Sequence, residues 1–260
     1  MNVASVTIDG PHGQIAARVY AAAEPVDVGL LWLHGGGWIA GDLDMVEADH
    51  VARVLAEVGI PVVSADYAKA VDGVHFPVPS DEAVAAFEWT ARHLGAARVC
   101  IGGASAGANL VAGAAKRLRD GTGTSPAGLL LVYPLVHDAL PPFSAELQAT
   151  VDAWDGRAFF FTDDIVESLT ANFLGPTPRD DPYAFAANGP LAGMPPTYIV
   201  NAEIDTLRAS GEAFAEQLRV AGVEVVLETE PGVMHGYLNE ASLDATAATL
   251  KRIGEWLLAR

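Results

Sequence analysis

Arg98-Val-Cys-Ile-Gly-Gly-Ala-Ser105-Ala-Gly-Ala-Asn-Leu-Val-Ala-Gly-Ala-Ala-Lys-Arg-Leu118 is the stretch that decides how this chain is read. Its first part is a short apolar run that ends in small residues. Its second part repeats apolar and small residues at helical spacing. The join is Gly103-Ala-Ser105-Ala-Gly107, a G-x-S-x-G with nothing larger than a methyl group on either side of the serine. A strand that turns this tightly into a helix needs small neighbours. Such a turn lifts the serine to the carboxyl edge of a sheet and aims a helix N-terminus at it.

Similar apolar runs lie on both sides of this unit. Strands are expected at Val28–His34, Pro61–Ser64, Arg98–Gly102, Gly128–Tyr133, Thr197–Val200 and Val223–Leu227. Their hydrophobicity is continuous rather than alternating, which implies burial on both faces. Amphipathic segments separate them: Val51, Leu55 and Val58 share a helical face, as do Leu207, Phe214 and Leu218, and Leu250, Ile253, Trp256 and Leu257. The alternation implies βαβ units and a mostly parallel central sheet flanked by helices. The first 25 residues read as an antiparallel hairpin at the sheet edge. Residues 137–193 break the rhythm with Pro, Asp and aromatics, and Ile165–Phe173 within them has helical spacing. They read as an insertion over the carboxyl edge of the sheet, within one domain spanning 1–260.

Composition removes several function classes. The 260 residues carry a formal charge of -18, which opposes binding to phosphate backbones and to anionic membranes. No run approaches the roughly 20 apolar residues of a membrane helix. A single cysteine, Cys100, allows no internal disulfide. Met1–Gly10 has neither a basic start nor an apolar core, so a cytoplasmic location is expected. The histidines lack metal-ligand spacing, and no dinucleotide fingerprint or phosphate loop occurs, so neither metal nor cofactor is expected.

A serine hydroxyl attacks a carbonyl only when a base takes its proton. Of the seven histidines, His12, His50, His75 and His93 read as surface residues, and His34 as a structural support at a strand end. His235, in Pro231-Gly-Val-Met-His-Gly-Tyr237, follows the last strand and is the candidate base. The acid that orients it is expected between Ser105 and His235 in chain order. Asp205, just past Thr197–Val200, fits and would also suit a helix cap. Glu203 and Asp138 are rivals. Donors for a developing oxyanion are offered by His34-Gly35-Gly36-Gly37-Trp38, where glycines let the backbone approach a substrate, and by the N–H of Ala106 after the serine.

These motifs resemble the hormone-sensitive-lipase-like family of carboxylesterases, which has the α/β-hydrolase fold. The matching pieces are HGGGW (34–38), GASAGANL (103–110), AEIDTLR (202–208) and MHGY (234–237), supported by SADY (64–67), RDDPYAF (179–185) and MPPTYIV (194–200). The resemblance implies Ser105 as nucleophile, Asp205 as acid, His235 as base, and the N–H groups of Gly36, Gly37 and Ala106 as the oxyanion hole. It also suggests a homodimer. Three departures stand out. His34 comes too early for a full N-terminal cap, so a small cap must come from 137–193, leaving a more open pocket or one closed by another subunit. Ala68–Asp72 replaces the family's usual loop after SADY, and Ala104 stands where an acidic residue is common.

The expectation is a serine carboxylesterase acting on small esters. Trp38, Trp154 and the Phe159–Phe161 run, Phe160 included, are candidate pocket walls. The rivals are an arylformamidase or other amide hydrolase with the same residues, and a catalytically inactive small-molecule receptor.

Overall fold

The computed structural model describes residues 1–121, 123–153 and 160–260. Eight strands form one sheet: β1 (Asn2–Gly10), β2 (Gly13–Ala21), β3 (Val28–Leu33), β4 (Val62–Asp66), β5 (Arg98–Ala104), β6 (Leu129–Val132), β7 (Thr197–Ile204) and β8 (Val225–Met234). Their order is β1-β2-β4-β3-β5-β6-β7-β8. β1–β2 and β2–β4 pair antiparallel, and every other pair is parallel. The hairpin and the six strands that follow it therefore stand where the sequence puts them. Every residue of β3 and β6 is buried, as continuous apolar runs require.

Helices α2 (Val78–His93), α3 (Ala106–Asp120) and α6 (Arg208–Val220) cover one face, over a core that includes Phe87, Val111 and Phe214. Helices α1 (Val46–Glu57) and α7 (Asp244–Leu258) cover the other, with Val51, Leu55, Leu250 and Leu257 inward. The parallel crossovers place helices on both faces, so the inner parallel strands are shielded from water on both sides, while much of the β1–β2 hairpin stays exposed.

Two strand ends differ from the sequence reading. β7 continues to Ile204 and β8 to Met234, because the two go on pairing past a register shift at Ala202/Ile204. Pro231 is tolerated within β8 because β8 is the sheet's edge, where a missing N–H breaks no ladder. His235 thus follows a strand directly instead of sitting in a long loop.

Between β6 and β7 lie α4 (Ala145–Ala153) and α5 (Asp163–Leu174), the latter containing the expected helical piece Ile165–Phe173. Arg208, only 4% exposed, ties α4 to α6 through Glu146 at 2.7 Å and Glu212 at 2.6 Å. The end of α5 is held by the Phe76 N–H to the Phe173 carbonyl at 2.7 Å and by Asn172 Nδ2 to the Ala70 carbonyl at 2.7 Å. His137 opens the segment with Nδ1 at 2.8 Å from Ser210 Oγ.

Two outcomes follow from this packing. A Cβ on Gly113 of α3 would lie 2.1 Å from the Tyr183 carbonyl oxygen. Gly113→Ala gains about 1 kcal/mol of helix propensity, but overpacking against backbone costs about 1–3 kcal/mol or more. We expect a net loss near 2 kcal/mol and a thermal midpoint lower by roughly 4–8 °C in a melting scan. Burial pushes the His137 imidazole down to about 4, from an ordinary value of 6.5. The unfolded chain binds this proton first, so stability is full above about 6.5 and declines as the pH falls towards 4. His137→Gln should flatten that part of the stability–pH curve, as measured by denaturant titration.

Candidate active site

The turn from β5 to α3 carries Ser105 at φ 52° and ψ -118°, a backbone conformation that a non-glycine residue holds only under constraint. Two bonds hold it. The Ser105 N–H donates to the Val132 carbonyl at 2.9 Å, and the Ser105 carbonyl accepts the Asn109 N–H at 3.1 Å. The flanking glycines are required by contact. A Cβ on Gly103 would lie 2.5 Å from the Gly107 carbonyl carbon, and one on Gly107 would lie 2.3 Å from the Leu33 carbonyl oxygen.

Ser105 Oγ is 2.9 Å from His235 Nε2. His235 Nδ1 is 2.7 Å from Asp205 Oδ2. A carboxylate only accepts, so Nδ1 carries the proton and Nε2 turns its lone pair to the serine hydroxyl. Asp205 is 2% exposed, and its other oxygen accepts the Leu207 N–H at 2.9 Å just ahead of α6. The cap and the histidine contact thus use different oxygens of one carboxylate. The rivals are engaged elsewhere: Glu203 accepts the Gly232 N–H at 2.7 Å, and Asp138 pairs with Arg179 at 3.5 Å.

The triple-glycine loop follows β3. His34 is fully buried, stacked on Tyr67 at 4.7 Å. Its Nδ1 donates to the Gly35 carbonyl at 2.6 Å, and Tyr67 Oη donates to the same oxygen at 3.2 Å. The Gly36 carbonyl accepts the N–H groups of Ile39 at 3.1 Å and Ala40 at 3.0 Å. In a planar trans peptide the N–H points opposite to its own carbonyl. These anchors therefore direct the Gly36 and Gly37 N–H groups away from the bonded carbonyls, and the bond from Asn109 does the same for Ala106. Among the described residues, neither the Gly36 nor the Gly37 N–H has an acceptor within the protein. Gly36 and Gly37 have φ of 118° and 61°, so glycine is what permits this path.

The imidazole of His235 meets Tyr133 at 4.8 Å on one side and Phe161 at 4.7 Å on another, measured between ring centroids. Beside Phe161 a groove of about 360 Å³ is lined by Asp164, Ile165, Ser168 and Leu169 of α5. Leu169 reaches the loop, with its Cδ2 3.5 Å from where a Gly37 Cβ would be.

The expected walls divide. Trp38 is core and not an open wall: it is 1% exposed, stacks on Phe173 at 4.6 Å and donates its Nε1–H to Asn109 at 3.2 Å. Phe160 is half-buried, and the Phe161 ring meets His235. Trp154 and Phe159 lie outside the described residues. Among the described residues no cluster of His, Cys, Asp or Glu is grouped to hold a metal, and no helix is long and apolar enough to cross a membrane.

Sequence reasoning missed Glu47, Tyr67 and Tyr133, which support this site. Glu47 left one signal: it shares a helical face with Val51 and Leu55, so an acidic residue stands on an apolar stripe. Tyr67 appears in the sequence only as the last residue of SADY and Tyr133 only as the end of an apolar run, and neither position marks a supporting role.

Comparison with known proteins identifies the fold family and its named esterase relatives. A family model described as alpha/beta hydrolase fold matches residues 30–239. Esterase LipI of Mycobacterium tuberculosis is 33% identical, over 96% of this chain and 79% of its own length. Carboxylesterase NlhH of the same organism is 35% identical, over 84% of this chain and 69% of its own. An esterase from Pyrobaculum calidifontis superposes with a TM-score of 0.86 at 29% identity, covering 99% of this chain and 85% of that one. With its eight-stranded, mostly parallel sheet and a family match across most of its length, this chain belongs to the alpha/beta hydrolase fold family.

Proposed function

We propose that this protein is a serine carboxylesterase that works through Ser105, His235 and Asp205. The observation that carries the reading is the unbroken relay from Ser105 Oγ through His235 to Asp205, at 2.9 Å and 2.7 Å. Its relatives are ester hydrolases by name, and the relay is the arrangement that ester cleavage requires.

The steps follow from the geometry. His235 Nε2 takes the Ser105 proton as Oγ bonds to the ester carbonyl carbon. Asp205 fixes the imidazole tautomer and balances its positive charge. Negative charge gathers on the former carbonyl oxygen, where the N–H groups of Gly36, Gly37 and Ala106 receive it. Their directions are set before substrate arrives, so little reorganisation is needed when charge develops. His235 then gives its proton to the departing alcohol. Water enters, His235 takes its proton as the water oxygen bonds to the acyl carbon, and the acyl–serine bond breaks with that proton returned from His235 to Ser105 Oγ, releasing the carboxylic acid.

We read residues 137–193 as a small cap, with α5 forming one wall of the substrate groove. The groove beside Phe161 is mostly apolar, with Ile165 and Leu169 on its floor, and suits a hydrocarbon acyl or alcohol group. Ester hydrolysis is favoured over formamide hydrolysis because the named relatives cleave esters. An inactive receptor is disfavoured because every member of the relay is present and in contact.

Ser105→Ala should lower turnover of a short-chain nitrophenyl ester by at least about 1000-fold and abolish labelling by a fluorophosphonate. A variant retaining wild-type turnover would overturn the reading. Asp205→Asn should cost up to about 10,000-fold in kcat through the wrong tautomer, with the fold preserved by circular dichroism. Leu169→Trp should fill the groove, so kcat/KM for a hexanoate ester should fall more than for an acetate ester, by roughly 10-fold or more. An equal loss for both chain lengths would place the acyl group elsewhere.

A further inference from the structure

Beside the relay and the glycine loop stands one buried carboxylate with no assigned role. Glu47, in the first turn of α1, is 1% exposed. Its Oε1 accepts the Gly35 N–H at 2.6 Å, and its Oε2 accepts the Tyr133 O–H at 2.6 Å. Its own N–H donates to Asn239 Oδ1 at 3.2 Å, and Asn239 Nδ2 donates to the carbonyl of Gly236, next to His235, at 3.2 Å. Its carbonyl accepts the Trp32 Nε1–H of β3 at 2.8 Å. One residue thus touches the segments that carry the glycine loop, the floor under Ser105 and the histidine.

A buried carboxylate is costly to desolvate, so what it supplies matters. It offers acceptors and no donor, and it faces donors on both oxygens. The consequence lies in the Gly35 backbone. The peptide before Gly35 is held at its carbonyl by Tyr67 Oη at 3.0 Å and at its N–H by Glu47. The peptide after Gly35 is held at its carbonyl by His34 and Tyr67, and its N–H is that of Gly36. Gly35 has wide rotational freedom of its own, so with the Glu47 anchor lost the Gly36 donor is aimed through the Gly35 carbonyl contacts alone and loosens. Tyr133 carries the same anchor to the ring against which His235 rests.

We propose that Glu47 is a positioning residue for acyl transfer: it holds the oxyanion donors in register with the Ser105–His235 pair. The inference rests on the serine esterase reading above. Glu47 touches no substrate and acts through Gly35 and Tyr133.

The test compares Glu47→Ala and Glu47→Gln, with kcat expressed per site titrated by a fluorophosphonate. In Glu47→Ala, kcat should fall about 10- to 100-fold with KM nearly unchanged. Affinity for a trifluoromethyl ketone, whose adduct carries the oxyanion, should weaken by a similar factor. Glu47→Gln should recover most of the loss, because its amide oxygen accepts the Gly35 N–H and its amide N–H reaches Tyr133 Oη. If the alanine variant does not fold, Glu47→Asp withdraws the carboxylate by about 1.5 Å and should show the same pattern at smaller size. Wild-type kcat per site and wild-type inhibitor affinity in a folded alanine or aspartate variant would overturn the inference. So would a glutamine variant as damaged as the alanine one. Absence of Ser105 labelling in the wild type would instead sink the esterase reading and this inference with it.

Discussion

A Cβ on Gly107 would stand 2.3 Å from the Leu33 carbonyl oxygen and 2.5 Å from that of His34, so the β5–α3 turn crosses the end of β3 with no side chain between them. That crossing brings the serine and the glycine loop to one place. The would-be Cβ of Gly35 falls 3.0 Å from Ser105 Cβ, so the Gly35 backbone lies directly against the serine side chain. A methyl group at Gly107 would push the end of β3 off the turn, and one at Gly103 would strike the start of α3. The strained Ser105 backbone, of a kind that costs about 1–3 kcal/mol, is tolerated because strands on both sides fix it. β3 and β6 are wholly buried and pair with β5 over its length.

Polar groups around this crossing are fully engaged, which gives the site its rigidity. Asp205 uses one oxygen for His235 and the other for the Leu207 N–H. Tyr67 and Glu47 take both ends of the peptide before Gly35, and His34 takes the carbonyl of the peptide after it. An unsatisfied buried group costs about 1–3 kcal/mol, so each of these contacts penalises any alternative loop path that breaks it. The Gly36 and Gly37 N–H groups are the exceptions. A folded chain rarely leaves directed N–H groups without an acceptor near its interior, and their presence beside Ser105 is what a binding site for a transient anion should look like.

The sequence was most legible where local chemistry and tertiary contact make the same demand. Small residues around Ser105 are needed for the turn and also for the crossing, so the motif announced both. The strands over 28–33, 98–104 and 129–132 were legible because burial on both faces leaves no polar interruption. The far ends of β7 and β8 were not, since Pro231 reads as a break and only its place on an edge strand removes the conflict. Ser105, Asp205 and His235 could be named from chain order. Glu47 could not, because its role depends on a contact with Gly35 twelve residues away and with Tyr133, which no short-range pattern encodes. Trp38 was misjudged for a related reason: beside a glycine loop an indole suggests a pocket wall, but Phe173, Phe185 and Asn109 had already enclosed it.

The enclosure of Trp38 constrains how the groove along α5 can vary. Trp38 directly follows Gly37, and its φ of 63° is itself unusual for a side chain this large. Its indole is stacked on Phe173 near the end of α5, while Ile165 and Leu169 of the same helix line the groove. Any shift of α5 that widened the groove would pull Phe173 from Trp38 and so disturb the loop that presents the Gly37 N–H. Groove shape and oxyanion geometry are therefore mechanically linked through one aromatic stack. Side chains early in α5, such as Ile165 and Ser168, can change size without moving the helix axis. Phe173 cannot, because Phe76 and Phe185 also close on it at 5.8 Å and 6.0 Å. In the proposed esterase, the groove is thus free to vary at the start of α5 and is tied to the glycine loop at its end.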